Sequence, residues 1–353
     1  ALSSAASDVY KRQVVRYRCV SKYLKNKMPA KRIEFIDLAK GLCISLVLLY
    51  HIHDFETNVE RALLFFRMPL YYFLSGIFFK DYSGFIDFSI RKINKLIVPY
   101  LFFFLAGYLA GMIGYFLHFY EKGIVEEPFR WNMIFDVFTK LGRGENIGYN
   151  APIWFLISLF EVNIMFYLLK ILIKNNAALL VACFCIGLVA TLWVGALPYF
   201  GDYSLKALPF FAGGYMAKKW LINPVWKKKI YFLIAVIGFA FIYSCAILPL
   251  HIRTSFIVTC LAGFVGIFMI LSISQVLQKL PLISYIGRYS LIVLGFHTFL
   301  VGPFKTIYAF ASPVGAYVLT FFSILILMRC VVIPISVKVF PFFTAQKDLI
   351  KWP

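Results

Sequence analysis

The most informative polar residues of this chain are a lysine and a histidine in an apolar run near its N-terminus. Lys40 and His51 are eleven residues apart. In a helix this is about three turns, so both side chains lie on one face, about 16 Å apart along the axis. A neutral imidazole can act as a base near pH 7, and an ammonium can bind an anion. The spacing equally allows Lys40 to extend to an interface, paired with Asp37, and His51 to be an interfacial residue.

Further ionisable or polar residues occur inside other apolar runs. They are Arg67, Glu161, Asn163, His297 and Arg329. An ionisable side chain at membrane depth costs several kcal/mol unless it is paired or hydrated, so each of these is a candidate functional residue. Arg67 is expected at a depth close to that of His51. The alternative is that Arg67 and Arg329 extend to lipid headgroups.

The composition identifies the environment of these residues. Of 353 residues, 61% are hydrophobic and 15% are charged. Soluble proteins carry about 25% charged residues, so a soluble globular protein is excluded. Spans of about 20 residues would give roughly ten transmembrane helices. We therefore predict an all-α polytopic membrane protein with membrane lipids as its surroundings.

Ten apolar segments along the chain are predicted to be helices. They are residues 36–52, 63–79, 96–119, 153–173, 177–199, 205–217, 230–250, 254–277, 290–309 and 313–337. The sixth is short and contains Pro209, so we expect it to be broken or steeply packed.

The distribution of basic residues predicts the orientation. The chain has 36 Lys and Arg against 16 Asp and Glu, a formal charge of +20. The excess falls on alternate loops and on both ends, which is typical of cytoplasmic segments rather than of nucleic-acid binding. Both termini are therefore expected in the cytoplasm, and no nucleic-acid partner is expected. Residues 120–150 form the longest outer loop.

The cytoplasmic side also contains a possible anion site. Arg91, Lys92 and Lys95 follow the second segment, and Lys40 and Arg329 are expected at a similar depth. Together these cations could bind a phosphorylated cytosolic ligand. The seven cysteines lie mostly in apolar runs without metal-site or disulfide spacing, so no metal is expected.

Three regions are expected along the chain. Residues 1–31 form a basic cytoplasmic segment, 32–340 the transmembrane domain and 341–353 a cytoplasmic tail. Residues 1–31 contain no apolar core and are predicted to be neither a signal peptide nor a span. Within them, residues 1–13 resemble the translated end of a sequencing-library adaptor, and we expect them to take no part in function.

Several short motifs occur in a characteristic order between Arg32 and Val337. They are Arg32 to Gly41 continuing to His51, Met68-Pro69-Leu70 with Phe73-Leu74-Ser75-Gly76, Arg91 to Tyr100, Pro152 to Leu156, Phe210 to Gly214, and Gly287 to Leu291 leading to His297. In these motifs the chain resembles the integral-membrane acyltransferase-3 family, and within it the small sugar O-acetylases similar to fucose 4-O-acetylases. In this family a basic residue, usually Arg, is followed after ten intervening residues by a histidine. These two positions correspond to Lys40 and His51, so that this chain resembles the family with Lys in place of the usual Arg.

The resemblance implies transfer of an acetyl group from cytosolic acetyl-CoA to a hydroxyl of a cell-surface or lipid-linked glycan at the bacterial inner membrane. His51 would be the general base or would carry the acyl group. Arg67 or His297 would steady the oxyanion or the sugar, and Lys40, less surely Arg329, would hold the CoA phosphates. A transporter or flippase for lipid-linked glycans, or a scaffold subunit of a polysaccharide assembly, is the alternative. The sequence leaves the acceptor and the oligomeric state open.

Overall fold

Long helices dominate the computed structural model, which describes residues 33–53, 57–125, 128–145, 150–193, 197–222 and 227–351. No strand occurs within these ranges. The principal helices are α1 Glu34–Ile52, α2 Asn58–Ile77, α3 Phe85–Phe116, α4 Trp154–Leu172, α5 Asn176–Leu192, α6 Gly201–Ile222, α7 Lys228–Ala246, α8 Phe256–Leu277, the short α9 Pro281–Arg288, α10 Ser290–Ile307 and α11 Pro313–Val339. The predicted segment 1–31, with its adaptor-like part, lies outside the described residues.

The helices are those of a polytopic membrane protein. Within the described ranges, seven are long and apolar enough to cross a membrane: α1, α3, α4 with the preceding turn, α7, α8, α10 and α11. Helix α5 is apolar but has only 17 residues. Every apolar segment predicted from the sequence overlaps one of the long helices. The prediction of an all-helical membrane protein is therefore confirmed.

Helices α2 and α3 begin well before their predicted apolar runs. Helix α2 starts at Asn58 because Thr57 caps it, its Oγ1 accepting a hydrogen bond from the Glu60 amide at 3.1 Å. Helix α3 starts at Phe85, and its polar first turns are joined by an ion pair between Asp87 and Arg91 at 2.7 Å. Hydropathy does not detect such turns because their charged residues interrupt the apolar pattern.

Helix α6 is longer than its apolar run. It runs unbroken for 22 residues with Pro209 inside it, so the expectation of a broken sixth helix was wrong. The proline ring packs where α5 has a glycine, since a Cβ on Gly187 would lie 2.8 Å from Cγ of Pro209. The neighbouring helix thus accommodates the ring that an isolated helix would tolerate poorly.

Helix α1 is fixed in place by α9. A Cβ on Gly41 would lie 2.0 Å from the carbonyl oxygen of Ile283, and one on Gly287 would lie 1.9 Å from the carbonyl oxygen of Asp37. The two backbones therefore touch, which is possible only where both helices present glycine. This contact sets the position of Lys40, which immediately precedes Gly41.

Helices α2 and α6 make a similar contact. A Cβ on Gly76 would lie 2.0 Å from the carbonyl oxygen of Phe211, and one on Gly214 would lie 1.9 Å from that of Phe73. The glycines of two sequence motifs are thus explained by helix packing. They place α2, which contains Arg67, firmly in the bundle.

A chain of hydroxyl groups joins α2, α4 and α6. The Tyr72 hydroxyl lies 2.6 Å from Ser158 Oγ, and Ser158 Oγ lies 2.8 Å from Ser204 Oγ. Ser204 in turn donates to Glu161 Oε2 at 2.6 Å. The carboxyl group of Glu161, which was predicted from the sequence to lie at membrane depth, therefore joins α4 to α6.

Candidate functional site

A cavity of about 260 Å³ lies between α1, α2, α3, α4 and α10. Lys40 and Lys95 line it, and most of its remaining wall is apolar. Helix α1 contributes Lys40, Ile44 and Val47, which follow one another on a single face. His51 is the next residue on that face, one turn beyond Val47. One face of α1 therefore runs from Lys40, along the cavity, to His51, and Lys95 of α3 lines the same cavity.

The lysine end of the cavity is held by side chains of α2 and its continuation. The Tyr71 hydroxyl donates to the backbone carbonyl of Lys40 at 3.0 Å, which ties α2 to α1. The Lys40 ammonium lies 5.7 Å from the centre of the Phe78 ring. Tyr71 and Phe78 both line the cavity, so they position Lys40 in its wall.

At the other end, His51 faces a second histidine from α10. The ring centres of His51 and His297 are 5.1 Å apart. His297 is fully buried, and its Nδ1 lies 3.0 Å from the carbonyl oxygens of both Val293 and Leu294. Because a carbonyl only accepts, Nδ1 carries the hydrogen and Nε2 of the neutral ring presents a lone pair. Nε2 has no hydrogen-bond partner among the described residues.

This tautomer limits what His297 can do. A ring with an unprotonated Nε2 accepts a proton or a hydrogen bond and does not donate one to an oxyanion. The expected role of His297 in steadying an oxyanion is therefore disfavoured. Its position beside His51 favours orienting that ring instead.

Arg67 lies at the same end of the site as a buried cation. It is 3% exposed, and its guanidinium forms an ion pair with the carboxylate of Glu60. It also donates to the carbonyl of Leu46 at 3.2 Å and stacks 4.7 Å from the centre of the Tyr50 ring. Because its side chain is buried among these partners, the alternative in which it extends to lipid headgroups is excluded.

Glu60 connects Arg67 to a further histidine. Nε2 of His53 lies 3.3 Å from Glu60 Oε2, and Glu60 itself is 4% exposed. Arg67 is within electrostatic range of His51 as well. The four side chains thus form a polar group at the His51 end of α1.

The loop that precedes α4 is anchored beside His297. Asn150 is 2% exposed, and its amide donates to the carbonyl oxygens of Phe103 and Gly295 at 3.3 and 2.9 Å. Its Oδ1 accepts from the Thr298 hydroxyl at 3.2 Å. The end of the longest predicted outer loop is therefore joined to the helix that contains His297.

The predicted cation cluster is only partly assembled. Of its five members, Lys40 and Lys95 line the cavity, whereas Arg91, Lys92 and Arg329 are not among the described residues that do. Arg91 pairs with Asp87, and Arg329 lies 3.8 Å from the centre of the Tyr285 ring. The Lys92 ammonium lies 5.3 Å from the centre of the Phe88 ring. Only two of the five are thus positioned to meet a ligand in this cavity.

Sequence reasoning missed Glu60 and Asn150. Glu60 precedes Arg67 by seven residues, two helical turns, so their shared face was a signal that could have paired them. The sequence contains no signal that identifies Asn150 as part of the site, because its hydrogen-bond partners come from helices far apart in the chain.

The family model for an acyltransferase domain matches residues 33–337. The chain belongs to the acyltransferase-3 family. Neither the curated proteins nor the solved structures contain a significant match to it. The matched region includes both ends of the site, from Lys40 and Lys95 to His51, Arg67 and His297. Membership of this acyltransferase family supports acyl-transfer chemistry at a membrane, which the cavity and the histidine pair can accommodate.

Proposed function

We propose that this family member is a membrane O-acetyltransferase of the bacterial inner membrane. It takes an acetyl group from cytosolic acetyl-CoA and transfers it to a hydroxyl of a cell-surface or lipid-linked glycan. The observation that carries this proposal is the single face of α1, which connects the Lys40 and Lys95 end of the cavity to His51. Such a path suits a donor on one side of the membrane and an acceptor on the other.

In the proposed topology, the ten long helices all cross the membrane and both termini are cytoplasmic. This arrangement places the lysine-rich loops inside, as the distribution of positive charge favours. Lys40 and Lys95 then lie at the cytoplasmic opening of the cavity. Their ammonium groups would bind the phosphates of the donor, and the apolar wall would receive its acyl-bearing arm.

His51 would perform the chemistry. In one step, it takes the proton of the acceptor hydroxyl while the oxygen attacks the thioester carbonyl. The carbon–sulfur bond breaks, and the proton passes from His51 to the departing thiolate. In the alternative step, the imidazole attacks the carbonyl first and carries the acetyl group until the hydroxyl displaces it. Both routes yield an acetyl ester and free CoA.

Two neighbours would assist His51. His297 would hold its ring by packing against it, with the ring centres 5.1 Å apart, and Arg67 would stabilise the negative charge that develops on the carbonyl oxygen. Arg67 is already fixed by Glu60 and Leu46, so little reorganisation would be needed. Arg91, Lys92 and Arg329 would contribute to the positive potential of the cytoplasmic side rather than to direct contacts.

The proposed acceptor class rests on the motifs shared with small sugar O-acetylases. Sugar hydroxyls are weak nucleophiles at neutral pH, so a base such as His51 is needed to activate them. The glycan would approach from the outer loop, which Asn150 anchors beside His297.

The test is acetyl transfer by membranes that contain this chain. Acetyl-CoA labelled in its acetyl group is added, and base-labile label is measured in extracted lipid-linked and surface glycans. His51→Ala is expected to lower the rate by about 10²- to 10⁴-fold, the range for loss of an acid–base group. His297→Leu is expected to lower it less, because it acts through His51.

His118→Ala is the matched control. This histidine is exposed, lies 2.5 Å from Glu121 and is not among the described residues that line the cavity, so its removal should leave the rate unchanged. Equal transfer by His51→Ala and the wild type, with insertion verified, would refute the proposal. Absence of label across a panel of acyl donors and acceptors would instead favour the glycan transporter.

A further inference from the structure

The segment of residues 341–351 lies beyond the family match and folds back onto the start of α3. Its anchor is Asn94, which is 1% exposed. The Asn94 Oδ1 accepts from the amides of Leu349 and Ile350 at 2.9 and 2.8 Å, and its Nδ2 donates to the Ile350 carbonyl at 2.8 Å. One side-chain amide thus pairs with both backbone donors and an acceptor of the segment. Such complete pairing fixes the segment in one register.

Aromatic packing holds the preceding part of this C-terminal segment. The Phe343 ring stacks on Phe102 of α3 with ring centres 5.5 Å apart, and Phe340 contacts the same ring at 5.2 Å. Thr344, which follows Phe343, is fully buried and donates to the Phe340 carbonyl at 2.9 Å. The C-terminal segment is therefore packed against α3.

The C-terminal segment contacts one of the two cavity lysines directly. Nζ of Lys95 lies 2.9 Å from Oδ1 of Asp348 and 2.9 Å from the carbonyl oxygen of Ala345. Lys95 and Asp348 are about half exposed, with 45% and 43% of their side chains accessible. A carboxylate thus occupies one hydrogen-bonding position of the Lys95 ammonium, as an anionic ligand of this lysine would.

We propose that Asp348 competes with the donor's phosphate groups for Lys95, so that the C-terminal segment sets the affinity of the donor site. The inference rests on the proposed binding of a CoA donor at Lys40 and Lys95. An anion that approaches Lys95 must displace the Asp348 carboxylate and also experiences its negative charge. Removal of that charge leaves the ammonium with neutral acceptors, such as the Ala345 carbonyl, and makes it available to the donor.

Binding of coenzyme A to the purified full chain in lipid nanodiscs, measured by calorimetry at low salt, tests this inference. Asp348→Asn is expected to bind coenzyme A about two- to fivefold more tightly than the wild type, the scale of one exposed charge pair. Asp348→Glu, which keeps the charge, should bind like the wild type. In a Lys95→Ala background, Asp348→Asn should have a smaller effect than in the wild-type background, because its lysine partner is gone.

Asp81→Asn provides the matched control. Asp81 forms an exposed ion pair with Lys170 at 2.6 Å, and neither residue lines the cavity among its described residues. The substitution removes the same charge elsewhere and should leave the affinity unchanged. Unchanged or weaker binding by Asp348→Asn, with normal binding by the wild type, would overturn the inference alone. Failure of the wild type to bind coenzyme A would refute the proposed donor site and the inference with it.

Discussion

At the scale of single residues, Arg67 makes the greatest electrostatic demand on the fold. A guanidinium that is 3% exposed loses most of its hydration, and an uncompensated charge there would cost several kcal/mol. Glu60 supplies the opposite charge, while the Leu46 carbonyl accepts another of its hydrogen bonds. The pair therefore allows a fixed positive charge to remain beside His51.

The substitution Glu60→Gln tests whether the buried Arg67 depends on the charge of Glu60. The substitution keeps the shape of the side chain but removes its charge, so Arg67 remains buried without a counterion. We expect a loss of about 3 kcal/mol in stability, within the range for breaking a buried ion pair. Thermal unfolding of the purified protein in detergent would measure it.

The control is Glu121→Gln. Its side chain is 66% exposed, and its pairing with His118 is open to solvent, so we expect no measurable change. Equal stability of the Glu60→Gln variant and the wild type would show that Arg67 does not depend on this carboxylate.

Sequence spacing predicted which residues of the site share one helix face, but not which residues of different helices meet. Lys40 and His51 share a face because helical periodicity relates residues of one element. The same rule extends to Glu60 and Arg67. It cannot relate His51 to His297, which come from different helices and meet only when the bundle packs.

At the scale of elements, α1 depends on the contact that fixes it to α9. The two helices touch at Gly41 and Gly287, and no side chain separates their backbones. Sub-ångström placement of α1 matters because it contributes Lys40, a wall of the cavity and His51. A displacement of this helix would alter both ends of the site together.

Gly41→Ala tests this contact. The added Cβ would lie 2.0 Å from the Ile283 carbonyl oxygen, so one backbone must move. We expect a loss of about 1–3 kcal/mol, the range for overpacking a well-packed core. The measurement is the thermal unfolding midpoint together with the acetyl-transfer rate.

Gly142→Ala is the comparison for this substitution. No atom lies within 4 Å of the Cβ that it would add, so we expect stability and rate to be retained. A stable and fully active Gly41→Ala variant would mean that α1 and α9 can separate without consequence.

The elements themselves were largely predictable from hydropathy, since an apolar run in a membrane protein has few alternatives to a helix. Which helices pack against one another was not predictable from hydropathy. Which glycines meet, as Gly41 and Gly287 do, depends on tertiary packing between segments far apart in the chain. The early start of α3 was also missed, because its first turns are polar.

At the scale of the whole molecule, the site has two chemically different ends. Lys40 and Lys95 line the cavity, whereas the His51 end of α1 combines histidines with a paired arginine. The C-terminal segment contacts α3 at Asn94, Phe102 and the cavity lysine Lys95. In the proposed topology, these ends face the cytoplasm and the outer side of the membrane.

The sidedness of acetyl transfer tests this account most directly. Labelled acetyl-CoA is added to sealed vesicles of either orientation that contain the wild type or His51→Ala, and acetylated glycan is measured. The account predicts label only when the cytoplasmic face is outward, with the glycan labelled in the lumen, and a loss of label in His51→Ala. Equal label from both orientations, or transfer without His51, would contradict it.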